Sequence, residues 1–152
     1  MALFLKKKII YTSLEKKDLI EILQKNIEPF KKDNSSFLFE GKIDANGNFN
    51  ISPTFDYNAR NQIRPEIKGI ISGKPEKKLE IEITFDLPNT IKGLIGIVII
   101  INLIACLILC FNNFFLKWYM VLFAIIFFCS FTYAIYDQKV KKSLSILEKL
   151  LK

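Results

Sequence analysis

The sequence contains no histidine, and its 152 residues include only three cysteines, five prolines and six glycines. Without histidine the chain has no Ser-His-Asp triad, no Cys-His dyad and no histidine-ligated metal site. The few prolines and glycines exclude a collagen-like chain or one dominated by linkers. Because 51% of the residues are hydrophobic, we expect a folded core rather than disorder. The length predicts one domain, or one small domain with an appendage.

Charged residues are almost absent between positions 91 and 136, where Lys92 and Lys117 are the only two. This block contains two apolar runs, at about 91–111 and 118–136. A helix of about 20 residues reaches roughly 30 Å, which is enough to cross the hydrocarbon core of a bilayer. The short connection between the runs predicts an antiparallel transmembrane hairpin. The alternative, two buried core helices, is disfavoured because so small a domain can hardly surround them.

Aromatic and basic residues flank the two predicted spans. Such rings prefer the lipid headgroup region, and lysines concentrate on the cytoplasmic side. The predicted membrane-interface anchors are Lys92, Trp118, Tyr119, Tyr136 and Lys139. Since the side with both termini carries more lysines than the turn, we expect both termini to be cytoplasmic.

Three residues of the first span are candidates for helix–helix association. Gly93 and Gly96 offer a narrow face for close approach, and Asn102 is a polar residue near the middle of the span. Asn102 could form a hydrogen bond either within the hairpin or with a second protomer. The three cysteines all lie in the spans and are expected to be small apolar fillers.

Residues 1–90 have the patterns of a mixed α+β domain. A strand near the N-terminus precedes a helix that Thr12 and Ser13 are expected to cap and Pro29 to end. Four segments with apolar residues at every second position follow, which predicts a four-stranded antiparallel meander. The run Lys6-Lys7-Lys8 is expected to be a solvated face.

The tail, residues 137–152, has the pattern of an amphipathic helix. Its apolar stripe comprises Val140, Leu144, Leu147 and Leu151. This helix either packs on the sheet or lies flat on anionic lipid. The predicted organisation is therefore a cytoplasmic α+β domain (1–90), a transmembrane hairpin (91–136) and a C-terminal cytoplasmic helix (137–152).

One polar cluster stands out between two predicted strands. It contains Tyr57, Asn61 and the two arginines of the chain, Arg60 and Arg64. Arginine makes forked contacts to phosphate or carboxylate groups, so these residues are a candidate site for an anionic ligand. The alternative is an ordinary loop whose arginines face water or lipid. We find no catalytic constellation, and we expect no enzyme activity, cofactor or metal site.

The segment from Phe39 to Phe85 resembles a group of uncharacterised small bacterial membrane proteins. The shared pattern is Phe39-x-Gly41-x-Ile43, Phe49-x-Ile51-x-Pro53, Tyr57, Arg60-Asn61, Pro65-x-Ile67-x-Gly69-x-Ile71 and Ile81-x-Ile83. In those proteins a two-span hairpin follows the last strand. The resemblance implies the same architecture and a bacterial inner membrane location.

We therefore expect a non-enzymatic inner-membrane protein whose cytoplasmic domain binds a ligand or a protein. The alternative is a membrane-disrupting effector in stress or antiviral defence, triggered by an anionic signal and acting through oligomerised hairpins. The expected partners are the lipid bilayer, an anionic small molecule or protein, and a second copy of the chain. Because residues 1–90 carry a net charge of only +2, no nucleic acid is expected to bind.

Overall fold

The computed structural model describes residues 4–28, 37–54, 63–72, 79–111 and 115–151. Within these residues the chain has a six-stranded sheet and three helices, two of them apolar, so the predicted α+β class is confirmed. The elements are β1 (Lys6–Thr12), α1 (Lys16–Asn26), β2 (Ile27–Glu28), β3 (Phe39–Ile43), β4 (Asn48–Pro53), β5 (Glu66–Ser72), β6 (Leu79–Asp86), α2 (Asn89–Phe111) and α3 (Phe115–Leu150).

The strands are ordered β1-β6-β5-β4-β3-β2 across the sheet. The pair β2–β3 is parallel, and the other four pairs are antiparallel. In the first pair Lys6 lies opposite Phe85 and Thr12 opposite Leu79. The first strand of the chain is therefore beside the strand that leads into α2.

Alternation of side chains gives the sheet one apolar face, as the period of two requires. Ile81, Ile83 and Phe85 of β6 are buried, whereas Glu82 between them is exposed. Gly69 of β5 lies opposite Phe49 of β4, and a Cβ at Gly69 would overlap the Phe49 ring. Only glycine leaves room for that ring on the buried face.

Helix α1 covers part of this face through Leu19 and Leu23, which have no exposed surface. Its N-cap is Glu15, not Thr12 or Ser13 as the sequence suggested. The Thr12 hydroxyl instead accepts a hydrogen bond from the Leu14 backbone N–H at 3.2 Å, in the turn before the helix. The helix ends at Asn26 and not at Pro29, which lies outside the described residues, because the backbone becomes extended at Ile27 and pairs with β3 as β2.

Helix α3 runs through 36 residues without a break, a length of about 54 Å. The predicted boundary between the second span and a separate tail helix, after Tyr136, does not exist as a break in the backbone. The helix contains neither proline nor glycine that would interrupt it. Beyond Tyr136, the side chains of Val140, Leu147 and Leu151 are buried in the same core as the sheet.

Candidate functional site

Three of the four residues predicted to bind an anionic ligand, Tyr57, Arg60 and Asn61, lie outside the described residues. The fourth, Arg64, forms an ion pair with Glu40 of β3 at 2.9 Å. Its guanidinium also lies 3.5 Å from the Pro53 carbonyl oxygen, to which it donates a hydrogen bond. Arg64 therefore links the segment before β5 to β3 and β4, and an anion that binds it meets a guanidinium already engaged by a carboxylate.

The apolar helices, α2 and the part of α3 up to Tyr136, expose most of their surface. Only 6% of the most apolar stretch of α2 and 11% of that of α3 are buried. The exposed large side chains are Leu94, Ile97, Ile100, Ile101, Leu103, Ile104, Leu107, Ile108, Tyr119, Met120, Phe123, Ile126, Phe127, Phe128 and Phe131. Both helices are long and apolar enough to cross a membrane.

The residues predicted to mediate helix association occupy different faces of α2. A Cβ at Gly93 or Gly96 would meet no atom within 4 Å, so α3 does not pack closely against either glycine. Asn102 is partly buried, and its side-chain amide donates to the Val98 carbonyl at 2.8 Å, one turn earlier in the same helix. These contacts within one chain leave association with a second chain as a prediction.

The predicted membrane anchors differ in their surroundings. Tyr119 is largely exposed, and the side chain of Trp118 lies outside the described part. Lys92, in the first turns of α2, pairs with Asp86 at the end of β6, with its ammonium 2.6 Å from the carboxylate. Lys139 is buried among protein atoms, so its side chain is not exposed as that of an interface anchor would be.

Tyr136 is not the lipid-facing anchor that its position near the end of the apolar run suggested. Its side chain has 0% exposure. Its hydroxyl donates a buried hydrogen bond of 2.6 Å to the backbone carbonyl of Phe4. Its ring meets the Phe4 ring edge to face, with centroids 5.5 Å apart. Tyr136 is buried because the segment before β1 packs against α3 at this level.

An ion cluster lies one residue further along α3. Asp137 forms ion pairs with Lys6 at the start of β1 and with Lys141, one turn later in α3. These two lysines hold the pKa of Asp137 below its usual value, and Asp137 raises the pKa of Lys6. The Lys6 ammonium also lies 5.3 Å from the centre of the Tyr133 ring, within the range of a cation–π contact. We define Phe4, Lys6, Tyr133, Tyr136 and Asp137 as the junction cluster.

Sequence reasoning missed the junction cluster. Lys6 was expected in a solvated face with Lys7 and Lys8, yet it is ion-paired. The one available signal was Asp137, an isolated acid where the apolar run ends. Its partner is 131 positions away in the sequence, so no local pattern identifies it.

Comparison with known proteins adds no assignment to these observations. No protein family matches the sequence, and no curated protein or solved structure is significantly similar to it. Within the described ranges, no group of three or more Cys, Asp and Glu side chains is arranged to hold a metal ion.

Proposed function

We propose that the chain is an integral membrane protein in which α2 and the first part of α3 cross a lipid bilayer as a hairpin. One observation carries this proposal: the most apolar stretches of both helices are almost entirely unburied. In a soluble protein a long apolar helix is buried in the core, since exposed apolar surface in water is unfavourable. A contiguous surface of this size is typical of contact with lipid.

The positions of the two helix ends support one orientation. Lys92 of α2 pairs with β6, and Tyr136 of α3 contacts the segment before β1. Both helices therefore join the sheet at the same end. This end carries the lysine-rich tail of α3, and the positive-inside rule puts that side in the cytoplasm. Together with the resemblance described above, this orientation supports our proposal of a bacterial inner membrane location.

The function that fits this arrangement best is a non-enzymatic binding module held at the membrane. The domain presents a sheet face that neither α1 nor the end of α3 covers, and both arginines of the chain lie in the sequence between β4 and β5. The ion pair of Arg64 with Glu40 holds one guanidinium beside β3, next to this part of the sequence. An anionic small molecule or an acidic protein segment is the class of partner that forked arginine contacts recognise.

Cysteine labelling of the full chain tests the insertion and its orientation. In a variant without the native cysteines, Asn113→Cys should react with a membrane-impermeant maleimide in spheroplasts. Ser145→Cys, at an exposed position of α3, should react only after lysis. Extraction of the protein by alkaline carbonate, or labelling of Ser145→Cys from outside, would contradict the proposal.

Thermal unfolding in detergent tests the binding site with inorganic phosphate and ATP as probes. We expect either anion to raise the Tm of the parent and to have a smaller effect on Arg60→Gln and Arg64→Gln. The control is Lys68→Gln, which removes one exposed positive charge from β5. Equal shifts in all variants would mean non-specific ion binding.

The second candidate function is the membrane-disrupting effector. Gly93 and Gly96 favour it, because they expose backbone on a face of α2 that α3 does not cover. A second copy can approach closely there. Induced cells should then lose membrane potential, and Gly96→Leu should prevent the loss because its side chain blocks the approach while fitting within one chain. Asn102→Leu tests the polar contact in the same assay. Membrane potential unchanged by the parent would favour the passive module.

A further inference from the structure

The start of β1 is attached to α3 at the level where the apolar part of the helix ends. The hydrogen bond from Tyr136 to Phe4 joins positions that are 132 residues apart in the chain, and it is buried. Phe4 also lies 6.1 Å from Tyr133 between ring centroids. These rings and the buried hydroxyl form the apolar half of the junction cluster.

The polar half is the ion pair of Lys6 with Asp137. The two side chains are only 31% and 22% exposed, so water screens them less than it screens a surface pair. Lys141 also pairs with Asp137, at 2.8 Å. Because both attachments lie within two residues on each element, they fix the position of β1 and its orientation on the helix.

Strand β6, which pairs with β1, is attached in a similar way to α2, the other apolar helix. Lys6 lies opposite Phe85 in the sheet register. The next residue, Asp86, pairs with Lys92 of α2. Two hydrogen-bonded strands are therefore each connected to one apolar helix, and displacement of either strand acts on both helices.

We propose that the junction cluster is a conformational latch that makes the sheet and the bases of both apolar helices move as one body. Binding that shifts the start of β1 then changes the orientation of α3 in the bilayer, whereas a flexible linker would absorb the shift. This inference rests on the membrane insertion proposed above. It adds that the domain is coupled to the helices.

Tyr136 is the part of the latch that sequence alone would assign to lipid. A buried carbonyl oxygen that loses its hydrogen-bond donor stays without a partner, which costs more free energy than the bond contributes when it forms. Tyr136→Phe removes this bond and keeps the ring. It should loosen the latch while leaving the packing of the core intact.

Distances between spin labels on the full chain in lipid nanodiscs test the latch. One label is placed at Ser72, exposed on β5, and the other at Phe123, exposed on α3, in a background without native cysteines. We expect one narrow distance distribution in the parent. Lys6→Glu and Tyr136→Phe should broaden or shift it, and the double variant Lys6→Glu with Asp137→Lys should narrow it again.

Lys7→Glu is the matched control, since Lys7 is exposed and its ion pair, at 3.5 Å, is with Glu82 of β6 and not with a residue of α3. Its distribution should stay narrow. A narrow distribution in Lys6→Glu and Tyr136→Phe, or equal broadening in Lys7→Glu, would overturn the latch. Carbonate extraction of the same parent protein reports insertion separately, so failure of the membrane proposal is distinguished from failure of the latch.

Discussion

The sheet core and the apolar helices consist of the same kinds of side chain, but they differ in what surrounds them. Phe39, Ile81 and Ile83 of the sheet have no exposed surface, whereas Ile101 of α2 and Phe123 of α3 are 60% and 70% exposed. Apolar composition alone therefore does not say which surroundings a segment requires. Protein atoms bury the first region, whereas protein atoms leave the second largely uncovered, which is what the proposed lipid contact would explain.

The largest expected difference between the two regions is in the cost of removing a phenylalanine ring. Phe85→Ala leaves a cavity in the sheet core and should destabilise the protein by about 4 kcal/mol. Phe123→Ala removes a ring that protein atoms barely contact, so its effect on domain unfolding should be below about 1 kcal/mol. Chemical unfolding of both variants in detergent, followed by circular dichroism, measures the difference. Equal losses would mean that Phe123 is part of a protein core.

A lysine substituted at an exposed apolar position shows whether that position contacts lipid or water. Ile100→Lys, near the centre of α2, should oppose insertion by about 3 kcal/mol because an ammonium is costly at the bilayer centre. Ile70→Lys, equally exposed on the sheet and opposite Glu82, should be tolerated. The fraction of each variant recovered in carbonate-washed membranes measures the effect. Full recovery of Ile100→Lys would show that this face of α2 contacts water.

Substitution by valine should have different effects at Gly69, which packs against Phe49, and at Gly96, which has no neighbour within 4 Å of an added Cβ. Gly69→Val forces its side chain into the Phe49 ring and should cost about 2–3 kcal/mol. A Cβ at Gly96 meets no other element of the chain within 4 Å, so Gly96→Val should leave thermal unfolding of the domain unchanged. Phe49→Leu combined with Gly69→Val should recover part of the loss. A cost at Gly96 would instead point to a close neighbour from a second copy.

The smallest expected effect is electrostatic and lies at the boundary of the two regions. The lowered pKa of Asp137 means that its carboxylate stabilises the fold above the ordinary carboxyl pKa, and that this contribution is lost as the pH falls below it. The raised pKa of Lys6 extends its contribution to high pH. Asp137→Asn should therefore cost about 0.5–1 kcal/mol at neutral pH. The cost should disappear in acid, as measured by unfolding across pH. A constant difference at every pH would assign the effect to packing.

Local patterns in the sequence predict the helices and strands better than they predict which of them pair or pack together. The alternation of apolar residues identifies β4, β5 and β6, and the apolar runs identify α2 and the first part of α3. The two-residue strand β2 has no periodic signal, because it is too short to alternate. The pattern at residues 137–152 suggested a new element, but a change of composition marks a change of surroundings and does not end a helix.

For the candidate site too, the sequence indicates which residues stand out but not which residues they contact. The arginines stand out by residue type alone, and Arg64 is found in an ion pair whose partner, Glu40, carries no distinguishing signal. Tyr136 fits the pattern of an interface aromatic as well as Tyr119 does, yet one is buried and the other exposed. The difference arises from Phe4, a residue at the opposite end of the sequence, and only the folded structure brings the two together.

The uninterrupted helix α3 also imposes an order on biosynthesis. Val140, Leu147 and Leu151 complete the core of the domain, but the ribosome synthesises them after α2 and after the apolar part of α3. Under the insertion proposed above, the sheet residues are synthesised first, and part of their apolar face stays uncovered until both apolar segments have been made and the end of α3 reaches the sheet. If that insertion is required to bring the end of α3 back to the sheet, membrane integration and completion of the fold become a single quality-control step for the cell.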